Sequence, residues 1–308
     1  MPPFSDPPKV VILCGGQGTR MREETEYRPK PMVEVGGRPL LWHIMKIYAA
    51  AGLNDFVCCL GYRGSMIKQY FLEYRTLAAD VSVNLRSGDV RYHSSESEDW
   101  NVTLVDTGDD AMTGARVKRV AHHLSGDLFL CTYGDGLADV DVAAVIDFHR
   151  SHGRLATLTG VHPPSRFGEL VHDRARVDRF AEKPAGSTLV SGGFFVFDRH
   201  VLERLEFDPS CVLERAPLEG LARDGELMVY EHDGFWQCAD TVRDVELLRA
   251  LWDSGRAPWR VWDDRRGAVA PSPLRRRADR AADRAADRDP NRDANWHSPR
   301  APIDEAAA

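Results

Sequence analysis

The apolar run Val10 to Leu13 empties into Gly15-Gly16-Gln17-Gly18-Thr19-Arg20, so three glycines precede an arginine. Glycines in such a loop let backbone N–H groups converge on an anion, and a guanidinium adds fixed donors that match phosphate oxygens. Further on, Pro29 and Pro31 bracket Lys30 and stiffen the stretch that carries its ammonium. Neither the dinucleotide pattern GxGxxG nor the P-loop pattern GxxxxGK[ST] is present. The stretch is either a phosphate-binding loop of another kind or a tight turn with a solvated Arg20 and Lys30.

Two carboxylates form a second group. Asp135 lies between Gly134 and Gly136 just past an apolar run, and Asp240 follows "GFWQCA" at the start of a helical pattern. If they converge, they suit Mg2+, a hard cation that takes oxygen ligands and is often completed by substrate phosphates. Apart, they are a turn aspartate and a helix cap. In "RFAEKP", an extended backbone places Glu182 and Lys183 on opposite faces, one toward a hydroxylated ligand and the other toward a phosphate. A surface ion-pair face is the alternative. Gly168, after Phe167, allows close backbone approach to a ligand or merely opens a strand.

Positioning such groups calls for strands that end where these loops begin. Val10 to Leu13, "DFVCCLG", "WNVTLVD", Leu128 to Cys131 and "LATLTGV" read as strands, and "VSVNL" as a further one. Between them, Leu40 to Gly52, "SMIKQYFLEY" with Ser65 as its N-cap, "ARVKRVAHHL" and Val140 to His149 read as helices. This alternation predicts an α/β fold with a mainly parallel sheet. From Phe167 to Phe197, "FGELVHD", "RVDRFAEKP" and "LVSGGFFVFD" read as a smaller mixed or antiparallel extension on the substrate side. Helices at "VLERLE", "PLEGLARDG" and "VRDVELLRALWDSG" close a single domain over 1–262, with 1–8 as a flexible N-terminus. Residues 263–308 repeat Ala-Asp-Arg with almost no apolar side chains, which predicts a disordered tail.

Bulk properties narrow the partners. The 308 residues carry a formal charge of -7, and Asp279, Asp283 and Asp287 interrupt the tail arginines, which argues against nucleic acid. No apolar run is long enough for a membrane span and the first residues do not resemble a signal peptide, so a cytoplasmic protein is expected. The six cysteines form no CxxC pair and fall mostly in apolar runs, as reduced core residues do. His43, on an apolar helix, reads as packed or hydrogen-bonded rather than catalytic.

Taken together, "ILCGGQGTRM", "RPKPMVEVGGRPLLWHIMKIY", "WNVTLVDTG", "YGDG", "FAEKP" and "GFWQCADTVRD" resemble the sugar-1-phosphate nucleotidyltransferase family, and its cytidylyl branch in particular, from about Lys9 to Trp262. The resemblance implies a Rossmann-like nucleotidyltransferase fold that joins CTP to α-D-glucose 1-phosphate, releases pyrophosphate and uses Mg2+. By resemblance, Leu13, Gly15, Gly16, Gly18, Thr19 and Gly134 would surround the nucleotide, with Arg20 on the triphosphate and the departing pyrophosphate. Lys30 would hold the transferring phosphoryl region, and Asp135 and Asp240 would be the metal aspartates. Thr107, Thr113, Gly114 and Arg116 fall in the loops that recognise the base. Lys183 matches the sugar-phosphate lysine, and Gly168, Glu182, Ser191 and Gly192 lie around the sugar.

Three departures bear on the pocket. Cys14 stands where the family has Ala, Ser191 where close relatives have Asn, and Cys238-Ala239 where they have Pro-Met; the last pair is expected to touch the sugar-side wall more than the metal. Ser191 leaves open another sugar 1-phosphate, or UTP or dTTP as donor. A nucleotide-sugar-binding protein without turnover is the reading from another class. The family also implies a homo-oligomer, a hexamer in this branch.

Overall fold

The computed structural model describes residues 7–18, 21–94, 97–163, 169–173, 176–181 and 188–262. Thr19, Arg20, Gly168, Glu182, Lys183 and the segment 263–308 therefore lie outside the described residues. Seven strands build the main sheet: β1 (Val10–Leu13), β2 (Asp55–Leu60), β3 (Asn101–Asp106), β4 (Leu128–Tyr133), β5 (Ala156–Val161), β6 (Val190–Asp198) and β7 (Leu227–His232). Their order is β7-β5-β6-β4-β1-β2-β3, and every neighbouring pair is parallel except the two that involve β6.

The alternation of strand side chains divides the core into two layers. Val10 and Ile12 of β1 join Phe56, Cys58 and Leu60 of β2 on one face, where helix α1 (Leu40–Ala50) packs through Leu41, Ile44, Met45 and Tyr48. Val11 and Leu13 point the other way with Val57, Cys59, Phe129 and Cys131. Val117 of helix α2 (Thr113–Arg119) and Val120 cover that second face. Strands covered on both faces need near-continuous apolar sequence, which "VVIL" and "DFVCCL" supply.

Several elements differ from the sequence expectation. "LVSGGFFVFD" is no peripheral extension: as β6 it runs antiparallel between β5 and β4 in the middle of the sheet. Its six consecutive buried residues, Gly192 to Phe197, fit an interior strand covered on both faces. The other two segments, Glu169–Asp173 and Arg176–Ala181, pair in a separate two-stranded antiparallel sheet. "VSVNL" contributes Asp80–Val83 to a hairpin with Val90–Ser94 outside the main sheet. Ser65 is not an N-cap, because its helix spans Gly64–Leu72 and enters through Arg63 at φ 50 with no side-chain cap bond. Helix α3 (Val142–His152) starts later than its apolar pattern, since Asp141 caps it by accepting from the Ala144 N–H at 3.0 Å.

His43 is fully buried in α1. Its Nε2–H donates to the Val35 carbonyl at 2.9 Å, and Nδ1 accepts from the Trp259 indole at 3.4 Å, which fixes a neutral tautomer. Burial lowers its pKa to about 4, and burial likewise lowers that of His149 to about 4. Unfolded histidines titrate near 6.5, so between those values the unfolded chain binds more protons and stability falls with falling pH. Each such histidine contributes a slope of up to about 1.4 kcal/mol per pH unit. Denaturant titrations from pH 7 to pH 4 should show His43→Gln losing about one proton's worth of this slope, and an unchanged slope would refute the assignment.

Candidate active site

Strand β1 changes direction of neighbourhood in the sheet, with β2 on one side and β4 on the other. Open α/β sheets leave a crevice at the carboxyl ends of such strands. Here it is a cavity of about 400 Å3 bordered by Leu13, Gly15, Gly16 and Gly18 after β1 and by Gly134 and Asp135 after β4. Lys30, Thr113, Arg116 and Asp240 complete its polar wall.

Asp135 and Asp240 come together through backbone pairing. The short strands Gly136–Ala138 and Trp236–Cys238 run antiparallel with Cys238 opposite Gly136, and the Ala239 N–H donates to the Asp135 carbonyl at 2.9 Å. The helix after Asp240, α4 (Ala216–Arg223) being already complete, is α5 (Val242–Asp253). Its N-cap is Thr241, which forms a reciprocal capping box with Asp244, so Asp240 is not the cap that its position suggested.

Lys30 reaches both carboxylates. Pro29 and Pro31 set a one-turn 3-10 segment, Lys30–Met32. Gly134 makes room for it, because a Cβ there would lie 2.7 Å from Pro31 Cγ. Lys30 Nζ then stands 2.5 Å from Asp135 Oδ2 and 2.7 Å from Asp240 Oδ1. Burial works against the ammonium, but the two carboxylates outweigh it and hold the Lys30 pKa above its usual value. Cys238, expected on the sugar-side wall, instead directs its thiol to Asp240 Oδ2 at 3.6 Å. Burial, reinforced by the aspartates, pushes that thiol up to about 12.

Arg116 sits deeper. One of its terminal nitrogens donates to the carbonyls of Leu60 and Gly108 and to the Thr107 hydroxyl, and the other to the carbonyls of Gly15 and Asp109. This single guanidinium ties together the loops that follow β1, β2 and β3. A Cβ at Gly15 would overlap it, which accounts for glycine there. Burial pulls the Arg116 pKa below its ordinary value, yet its hydrogen bonds run to neutral oxygens and the guanidinium borders the cavity. Such a cation attracts an anionic ligand.

The remaining site residues separate into two kinds. Thr107 stands behind Arg116 and donates to the Leu60 carbonyl at 2.6 Å, while Gly114 packs against Cys211, so neither lines the cavity. Ser191 is exposed on β6 and Gly192 is buried there, accepting from the Trp236 indole at 2.8 Å. Neither borders this cavity. Ala111 and Met112, within the Thr107 to Arg116 segment expected at the base, do border it, as does Tyr133, which sequence reading missed. Tyr133 and Thr113 both donate to the Glu214 carboxylate, Thr113 at 2.6 Å. Burial, then the charge of Glu214, pushes the Tyr133 pKa up. Tyr133 directly precedes "GDG" and was findable from that position, whereas nothing in the sequence marked Glu214.

Residues 9–219 match the family model described as nucleotidyl transferase. The chain belongs to that family. Among its relatives, the nucleotidyl transferase "Glucose-1-phosphate cytidylyltransferase" of Salmonella typhi is 51% identical over 257 residues, covering 83% of this chain and 100% of that protein. "Mannose-1-phosphate guanyltransferase" of Gibberella zeae is 29% identical over 245 residues, which cover 77% of this chain and 62% of that one. A solved UDP-glucose pyrophosphorylase in complex with UDP-glucose shares the fold at TM-score 0.59 and 16% identity, covering 82% of this chain and 100% of the other.

An ammonium offers fewer and less directed donors than the Arg116 fork. Arg116→Lys should therefore lower the unfolding free energy by about 2–4 kcal/mol, the range for a disrupted buried polar network. Chemical denaturation measures this, and a change below about 0.5 kcal/mol would show that the loops do not depend on the guanidinium.

Proposed function

We propose that this protein transfers a cytidylyl group from CTP to α-D-glucose 1-phosphate, forming CDP-glucose and pyrophosphate. The observation that carries the reading is one cavity holding Lys30, Arg116, Asp135 and Asp240, in a chain aligned with the full length of the Salmonella typhi cytidylyltransferase. A phosphate oxygen of the sugar phosphate attacks the α-phosphorus of CTP, a new P–O bond forms, and the bond to the β-phosphate breaks as pyrophosphate leaves. The nucleophile is already an anion, so alignment and charge compensation carry the catalysis. Arg116 holds the glycine loop in place and Lys30 supplies an ammonium at the reacting phosphates. Arg20, Lys183, Glu182 and Gly168 keep the phosphate and sugar roles that the resemblance implies, with Ser191 and Gly192 on the sugar side.

Asp135 and Asp240 fit Mg2+ by donor chemistry. They are hard oxygen ligands, both partly exposed to the cavity. Among the described residues no group of three or more His, Cys, Asp or Glu could hold a metal, so phosphate and water oxygens would supply the rest of the shell. When bound there, the ion would neutralise charge that develops on the phosphates. A pyrophosphate-release matrix of CTP, UTP, dTTP, ATP and GTP against several sugar 1-phosphates tests the reading. CTP with glucose 1-phosphate should be the best pair. A different best pair would reassign the substrates, and no release from any pair would favour a binding protein without turnover.

We also propose that the protein resides in the cytoplasm and that residues 1–262 form one catalytic domain. All six cysteines are free, as a reducing compartment allows, and no described helix is long and apolar enough to cross a membrane.

Self-association with copies of this chain is proposed through the hairpin Asp80–Val83/Val90–Ser94. Val83 pairs with Val90 and Val81 with Tyr92, which gives the hairpin one apolar face. Leu85 in its turn is 94% exposed, and Leu77, in the helix whose Thr76 hydrogen-bonds Tyr92, is 67% exposed. A two-stranded hairpin is only marginally stable alone, so a symmetric partner would stabilise it. In sedimentation velocity, Val83→Asp with Leu85→Asp should convert an oligomer to smaller species. A monomeric wild type, or an unchanged mass for the variant, would refute this surface.

A further inference from the structure

Lys30 stands between the two oxygens that a divalent cation would use. Metal–oxygen distances of about 2.1 Å leave no space for an ammonium at the same point. A cation held on those same two oxygens would take the place of the Lys30 ammonium, which now contacts Asp135 at 2.5 Å and Asp240 at 2.7 Å. We propose that Lys30 is a built-in competitor for the metal: it holds the carboxylate pair together before substrate arrives and leaves it for the triphosphate. Cation loading and phosphate capture are then one coupled exchange. This inference rests on the function proposed above.

The local construction suits such a swing. The backbone of Lys30 is anchored, because Pro31 is buried against Gly134 and the Met32 N–H donates to the Pro29 carbonyl at 2.8 Å. Only the side chain has to move. Its stem has four rotatable bonds, and it borders the same cavity as Gly15, Gly16 and Gly18. Charge also stays compensated throughout. In the described state one ammonium faces two carboxylates, and after exchange a divalent cation faces the carboxylates while the ammonium faces phosphate. Neither state leaves a half-buried pair of like charges unopposed, which would be costly.

Two consequences follow from competition. Metal alone binds weakly, because it must displace a pre-formed ion pair. Nucleotide raises metal affinity by drawing Lys30 away, and by linkage the metal raises nucleotide affinity by the same factor. Removing the ammonium should therefore strengthen metal binding in the absence of nucleotide, although it weakens turnover.

The test uses the full chain with Mn2+ as the probe, followed by electron paramagnetic resonance without nucleotide. Lys30→Gln and Lys30→Met should each bind Mn2+ about tenfold or more tightly than wild type, with thermal melts confirming folded protein. On the wild type, acetylation of Lys30 by an amine-reactive ester, read by mass spectrometry, should speed up when Mg2+ alone is raised to saturation. It should slow again when a non-hydrolysable CTP analogue is added with Mg2+. Mn2+ affinities within twofold of wild type in both variants, or a Lys30 labelling rate indifferent to Mg2+, would overturn the inference. The labelling arm needs no variant and survives a folding failure. Normal turnover with negative results here would sink the exchange and leave the proposed reaction standing, whereas absent pyrophosphate release would sink the reaction itself.

Discussion

Asp135 and Asp240 repel one another, yet the chain sets them on either side of one ammonium, and much of the surrounding architecture exists to hold that arrangement. The paired strands Gly136–Ala138 and Trp236–Cys238 fix the two backbones in register. Thr241 takes the helix cap and so leaves the Asp240 side chain directed at Lys30. Gly134, without a side chain, admits Pro31 and thereby places Lys30. Each device acts on the backbone, and so brings charged side chains together from distant parts of the chain.

Arg116 solves a different problem. Three loops leave the carboxyl ends of β1, β2 and β3, and each presents carbonyl oxygens that a buried cation can satisfy. Because those partners are neutral, the guanidinium orders the loops without losing its charge to a carboxylate. Lys30, by contrast, is matched against two carboxylates. The cavity thus combines a structural cation with a mobile one. That division suits a reaction in which two anions must be brought together and one must leave as a polyanion.

The alternation of strands and helices was legible because both faces of β1, β2 and β4 are covered, which forces continuous apolar runs. The glycine loop and Lys30 were legible because Gly and Pro act on their own backbone. Thr107 and Gly114 show where position along the chain misleads. Both lie in the segment that borders the cavity, but Thr107 hydrogen-bonds behind Arg116 and Gly114 packs on Cys211. Strand β6 shows a second failure: its run of apolar and glycine residues identified a strand, but its place between β5 and β4 depends on partners distant in sequence. Glu214 joins Thr113 to Tyr133 from a segment with no pattern at all.

What the amino-acid sequence determined by itself was therefore the set of local conformations: where strands end, where the backbone can turn, and which residue types the loops present. It also carried the family resemblance, since motif order is a property of the chain alone. Only the tertiary structure decided which charges meet. Lys30 and its carboxylate partners are 105 and 210 residues apart, and sheet order, which the chain pattern leaves open, brings them to one crevice. Side-chain spacing encodes a helix or strand because those periods are local, whereas an ion pair across the fold depends on every element packed between its partners.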